Sequence, residues 1–185
     1  MQSIQTVSEN TIYVGASDRR LAKFENLFPI PRGVSYNAYV ILDEKTALLD
    51  TADASVGAQF LENVAAALDG RKLDYLIVDH MEPDHAAMIE AVLVRWPDLR
   101  LVVNAKTLPM LKMYFPTDSA AIDDALVVKE GDTLDLGKHK LTFVMAPMVH
   151  WPEVMMTFDT TTGTLFSADA FGTFGAWRVP CLLMR

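Results

Sequence analysis

Most of the chemistry open to this sequence is concentrated in six residues, His80-Met81-Glu82-Pro83-Asp84-His85. They hold two imidazoles and two carboxylates, just after the apolar run Tyr75-Leu76-Ile77-Val78. A buried strand that ends in such side chains presents them at a sheet edge, where a site can open to substrate. Histidine with aspartate and glutamate suits a metal of borderline hardness, such as iron, manganese or zinc. Pro83 fixes one backbone angle and helps hold a single ligand geometry. The plainer reading is a polar strand-to-helix turn with Asp84 as its N-cap. Four ligand-type residues together, including two of the chain's four histidines, favour the metal.

Two further candidates lie downstream. His150 falls in a loop over 147–152, and Asp169 follows a strand. Singly, either could be an ordinary polar loop residue or turn-former. Jointly with the cluster they read as ligands, because strand ends far apart in sequence can converge in space. His139, in the polar turn after Gly137, is expected to face solvent. Met110 and Met113 read as packing residues rather than ligands.

The elements that must position these residues follow from periodicity. Strands are expected over 11–14, 35–42, 46–49, 73–78, 101–104, 125–129, 133–136, 140–146, 154–159 and 164–167. Helices are expected over 55–68, 85–95 and 107–114, the first stopped near Gly70 and the second capped by Asp84. Residues 18–27 read as a charged, poorly ordered segment with Leu21, Phe24 and Leu27 as its apolar face. The mixture of βα units and antiparallel hairpins predicts a layered sheet-and-helix fold.

Composition bounds the function. The chain has 185 residues, 51% of them hydrophobic and 22% charged, which is enough for one domain with a real core. A net charge of -8 argues against binding nucleic acid or an anionic membrane. One cysteine, Cys181, permits no internal disulfide. With no signal-peptide pattern at the N-terminus, a cytoplasmic location is expected. No apolar run is long enough to span a membrane.

Three motifs in order bring the chain to a known family. His80-x-Glu82-x-Asp84-His85, then Ala146-Pro147-Met148-Val149-His150-Trp151-Pro152-Glu153, then Ser167-Ala168-Asp169-Ala170-Phe171-Gly172 closely resemble flavodiiron proteins. The resemblance runs to about Ala176 and matches their N-terminal metallo-β-lactamase-like domain. It implies an α/β fold, a four-layer αββα sandwich of which mostly the first half is expected here. It also implies two iron ions, with zinc or manganese as possible substitutes, and reduction of dioxygen to water, of nitric oxide to nitrous oxide, or both. By the same resemblance, His80, Glu82 and His150 bind one iron, Asp84 and His85 the other, and Asp169 bridges them. These six are also the candidate catalytic residues. In hydrolytic relatives the Glu82 position is usually histidine, which suits zinc; a carboxylate there favours iron.

The sequence also departs from the family. The family has a further histidine for the second iron, and there is none after His150 here. The expected organisation is a diiron domain over 1–176, incomplete on its C-terminal side, and a divergent tail over 177–185. No FMN-binding flavodoxin-like domain is expected in these 185 residues, nor a glycine-rich phosphate loop to replace it. Electrons are therefore expected from a flavodoxin-like flavin subunit or rubredoxin. A homodimer or a second-half subunit could complete the fold, and the isolated chain is expected to lack full activity. The alternative functions are a zinc-dependent hydrolase of the metallo-β-lactamase type and a non-catalytic remnant or assembly module.

Overall fold

Strands that are apolar on both faces must be covered on both faces. In the larger sheet, Val40, Leu48, Leu76, Leu101 and Val103 face one core, and their neighbours Ile41, Ala47, Leu49, Ile77 and Val102 face another. This period of two is the geometry of extended backbone. The computed structural model describes residues 3–116 and 119–176. Residues 177–185, expected to be a divergent tail, and Cys181 among them, lie outside the described residues.

The chain opens with β1 (Gln5–Ser8) and β2 (Thr11–Tyr13), then β3 (Ala16–Asp18), β4 (Lys23–Phe24), β5 (Phe28–Pro29) and β6 (Val34–Tyr36). The β7 (Tyr39–Leu42) and β8 (Thr46–Leu49) hairpin follows, then α1 (Gly57–Leu68), β9 (Tyr75–Ile77), α2 (Pro83–Ala86) and α3 (Ile89–Arg95). Next come β10 (Arg100–Asn104), α4 (Thr107–Tyr114), α5 (Ser119–Asp123) and β11 (Leu126–Val128). The last elements are β12 (Thr133–Asp135), β13 (Lys140–Met145), β14 (Met155–Asp159) and β15 (Thr164–Phe166).

The larger sheet has seven strands in the order β1-β2-β7-β8-β9-β10-β11. It is antiparallel from β1 to β8 and parallel from β8 to β11. The parallel crossovers are made by helices, as parallel pairing requires. The second sheet is an antiparallel meander, β12-β13-β14-β15. Leu134, Leu141, Phe143, Met155 and Phe166 fill the core between the two sheets. All five described helices contribute to the core on the other face, for example Phe60, Ala86, Ile89, Leu111 and Ile122. The layers are therefore helix, sheet, sheet. On the outer face of the second sheet Val144 and Leu165 are 36% and 42% exposed.

Several expectations need correcting. Residues 35–42 are not one strand: β6 pairs with β3 in a small separate sheet, and the chain crosses to the large sheet at Asn37 and Ala38. Residues 18–27 are ordered, with β4 and β5 joined by a turn whose central residues, Glu25 and Asn26, are both left-handed (φ 47° and 59°). That is the geometry of a type I′ turn. Leu21 and Leu27 are exposed, so of the expected apolar face only Phe24 packs against the core. Met113 is exposed rather than packed. The expected helix over 85–95 splits into α2 and α3. Its cause is Thr51, whose amide and hydroxyl both donate to the His85 carbonyl, at 2.8 and 2.6 Å. That carbonyl is the one a continuous helix would offer to Ile89. Asp84 lies inside α2 and is not its cap; Glu82 holds the cap position without a side-chain cap bond.

His139 is not solvent-facing but 1% exposed. Its Nδ1 meets Asp159 Oδ2 at 2.8 Å, and its amide donates to Asp43 Oδ2 at 2.6 Å. Asp159 also accepts from the Thr161 amide and the Thr162 hydroxyl. These bonds latch the β7–β8 turn to the second sheet, at the end of β13 away from His150. Replacing His139 with Ala leaves a buried carboxylate short of a partner, which costs roughly 1–3 kcal/mol. Urea unfolding should show that loss with metal uptake unchanged.

Candidate metal centre

Each candidate ligand lies just beyond a strand. His80 and Glu82 follow β9, and the short α2 after them carries Asp84 and His85. His150 lies in the loop between β13 and β14, and Asp169 follows β15. The two sheets are joined here by Asp79, whose carbonyl accepts from the Met155 amide at 3.0 Å and whose carboxylate accepts from the Thr157 hydroxyl at 2.8 Å. All six residues are brought together as two overlapping groups: His80, Glu82, His150 and Asp169, and Asp84, His85 and Asp169. Within each group the ligand atoms lie within 4.8 Å of one another.

Asp169 belongs to both groups through different oxygens. Its Oδ2 is 3.4 Å from His80 Nε2 and 3.2 Å from His150 Nε2, whereas its Oδ1 is 2.9 Å from His85 Nε2. Glu82 Oε2 stands between His150 Nε2 at 2.7 Å and His80 Nε2 at 3.2 Å. Asp84 Oδ2 is 3.7 Å from His85 Nε2. The loop that carries Asp169 holds Ala168 and Phe171 in the left-handed region (φ 47° and 67°). Non-glycine residues in that region cost about 1–3 kcal/mol each and concentrate at functional sites.

Carboxylates also stand behind two of the imidazoles. Asp50, at the end of β8, meets His85 Nδ1 at 2.9 Å, and Glu153 meets His80 Nδ1 at 2.7 Å. The motif reading missed both as site residues. Asp50 could have been found as another acid directly after a strand, and Glu153 as the acid closing the His150 motif.

The electrostatics follow from this crowding. Burial opposes charge on His80, yet hydrogen bonds to Asp169 and Glu153 outweigh it and push the imidazole up to about 9. His85 is raised in the same way, burial being overcome by Asp169 and Asp50. Burial would raise Asp169, but hydrogen bonds from both histidines hold it far below the usual carboxylate range. Burial pushes Asp84 up to about 6, against the pull of His85. The donor set fits metal ions on a further observation: Asp84 Oδ1 is buried with no hydrogen-bond partner. An unpaired buried oxygen beside another carboxylate is costly unless a cation meets it.

Comparison with known proteins places this geometry. The family described as ODP family beta lactamase matches residues 34–181. The chain belongs to that family. It is 37% identical over 168 residues to an anaerobic nitric oxide reductase flavorubredoxin from Klebsiella pneumoniae, covering 90% of this chain and 34% of the relative. The solved flavodiiron protein from Giardia intestinalis superposes with a TM-score of 0.88 at 28% identity, covering 96% of this chain and 42% of that one. The rubredoxin oxygen:oxidoreductase of Desulfovibrio gigas gives a TM-score of 0.88 at 31% identity, covering 95% and 43%. The fold of this chain is thus the metallo-β-lactamase-like fold of the flavodiiron proteins. The chain spans only 28–41% of the length of the curated relatives it matches. No described helix of this ODP family member is long and apolar enough to cross a membrane.

A metal held by His80 Nε2 would have to displace the proton there. Because the metal-free imidazole is pushed up to about 9, uptake below that pH releases a proton, and affinity falls as pH falls. Zinc titration in weak buffer with a pH indicator should therefore show proton release at neutral pH. Binding without proton release would mean that these imidazoles are not the ligands.

Proposed function

We propose that this chain is the diiron domain of an oxidoreductase that reduces dioxygen to water, nitric oxide to nitrous oxide, or both. The observation that carries the reading is Asp169, which offers one oxygen to each of two ligand groups. His80, Glu82 and His150 would hold one iron, and Asp84 and His85 the other, with Asp169 shared. The names of the relatives support both substrates: one is a nitric oxide reductase and another a rubredoxin oxygen:oxidoreductase. Residues 1–176 would constitute this domain. Its electrons would come from a flavin-bearing partner or rubredoxin.

When bound, two irons can deliver several electrons to a diatomic molecule in one encounter. The chain's own residues do the remainder. Glu82, Asp84 and Asp169 would supply three carboxylates to the metals, and their negative charge would offset added positive charge there. A carboxylate at Glu82, where histidine would suit zinc, favours the harder metal. Above the ligands lies a cavity of about 570 Å³ with Phe24, Phe28, Trp151 and Phe174 in its wall. Glu25, Ser35 and Asn37 also line it, so the cavity offers a wall of mixed polarity with room for a small substrate. Trp151 also stands edge-on to the His80 ring, with centroids 5.4 Å apart.

The test is anaerobic loading with ferrous iron, followed by Mössbauer spectroscopy and then by oxygen or nitric oxide uptake with reduced rubredoxin. Two coupled irons per chain are expected; one isolated iron would defeat the dinuclear reading. Zinc-loaded chain that hydrolyses lactams or thioesters, with the iron-loaded chain inert, would replace the proposal with a hydrolase. Asp169→Ala should weaken both metals, and His150→Ala mainly the one in its own group. Equal losses in a metal titration of the two variants would reject the shared role of Asp169.

A further inference from the structure

We propose that Glu153 is a positioning residue for the first ligand group. It sets the tautomer of His80 and ties the segment bearing His150 to it. This inference rests on the metal reading above and concerns a residue outside the six ligands.

Glu153 Oε1 lies 2.7 Å from His80 Nδ1 and accepts from the Met81 amide at 3.0 Å. An ionised carboxylate can only accept. Nδ1 therefore keeps its proton, and Nε2, turned toward Glu82 and Asp169, is the nitrogen whose proton a metal would displace to gain the lone pair. Metal-bound histidines commonly donate their other N–H to such a group, which fixes ring orientation and raises ligand basicity. The Glu153 carboxylate is fully buried, and its Oε2 has no hydrogen-bond partner. Packing alone is a poor reason to keep a charge there, since an apolar side chain would avoid the desolvation cost.

The same residue is anchored from behind. Its carbonyl accepts from Asn104 Nδ2 at 2.6 Å, and Asn104 Oδ1 in turn accepts from the Lys106 and Thr107 amides at the start of α4. Glu153 is thus fixed to the end of β10 and stands three residues from His150. Among the described residues no carboxylate backs His150 Nδ1, and the His150 side chain is 55% exposed. Its placement depends on the segment that Glu153 holds, so loss of Glu153 disturbs two ligands of one group. The second group has its own support, Asp50 behind His85.

The experiment uses the full chain with zinc, a diamagnetic probe, and compares wild type, Glu153→Ala and Glu153→Gln. Zinc affinities are measured by competition with a chelating dye, and ring tautomers by ¹⁵N NMR of the zinc-loaded chains. In the Ala variant the first-group affinity should fall by roughly 10–100-fold while the second holds. The Gln variant keeps an accepting oxygen, so it should retain the His80 Nδ1–H signal and lose less than the Ala variant. Wild-type affinity in the Ala variant, or equal losses at both groups, overturns the inference and leaves the metal reading standing. Should the Ala variant fail to fold, the Gln variant decides: loss of the Nδ1–H signal there overturns the inference. A wild-type chain that takes up no zinc and no iron overturns both.

Discussion

Asp50 sits at the C-terminal end of β8 in the left-handed region, and its carboxylate organises everything that follows. One oxygen accepts from the Asp79 amide at 2.7 Å and faces the His80 amide at 3.4 Å; the other meets His85 Nδ1 at 2.9 Å. A single side chain from one parallel strand thereby sets the backbone leaving the next strand and the imidazole on the helix beyond it. Asp79, turned by this contact, binds the second sheet through Met155 and Thr157. The site is consequently a property of the junction between the sheets, and no one loop builds it alone. Burial of Asp79 beside Asp50 pushes its carboxyl well above the ordinary range, which shows how much acidity this junction concentrates.

The architecture answers that demand. Parallel strands β8, β9 and β10 end side by side, and Asp50, His80 and Asn104 lie at or just beyond those ends. Ends of parallel strands are where open α/β sheets place their ligands. The alternating cores clamp β8, β9 and β10 from both faces, so the groups at their ends have little freedom to move. The second sheet then contributes His150, Glu153 and Asp169 from its own connections. Rigid elements supply precision, and loops supply the reacting groups.

The cluster from His80 to His85 was legible because four ligand-type residues fall within six positions, whereas His150 and Asp169 stood out only jointly with it. The strands β8 to β15 were legible from alternation and turn residues. What failed to show has a common cause in long-range contact. His139 reads as a turn residue because its partner Asp159 lies twenty positions away on another strand. The break between α2 and α3 is imposed by Thr51, which no local pattern near Ile89 announces. The β4–β5 hairpin depends on Glu25 and Asn26 adopting a left-handed turn without glycine. Asp50 and Glu153 resemble ordinary surface acids until the fold shows the imidazoles they face.

The divided loyalty of Asp169 has a mechanical consequence. Its loop leaves β15, at the margin of the smaller sheet, and reaches residues 84 positions earlier in the chain. Any ion shared between Asp169 and the His80–His85 segment acts as a covalent-like staple around that span. In the chain-entropy picture a cross-link around about 100 residues is worth about 4.7 kcal/mol. Filling the site would therefore be felt far from it, as slower fraying of the smaller sheet and greater resistance to proteolysis along β13 to β15.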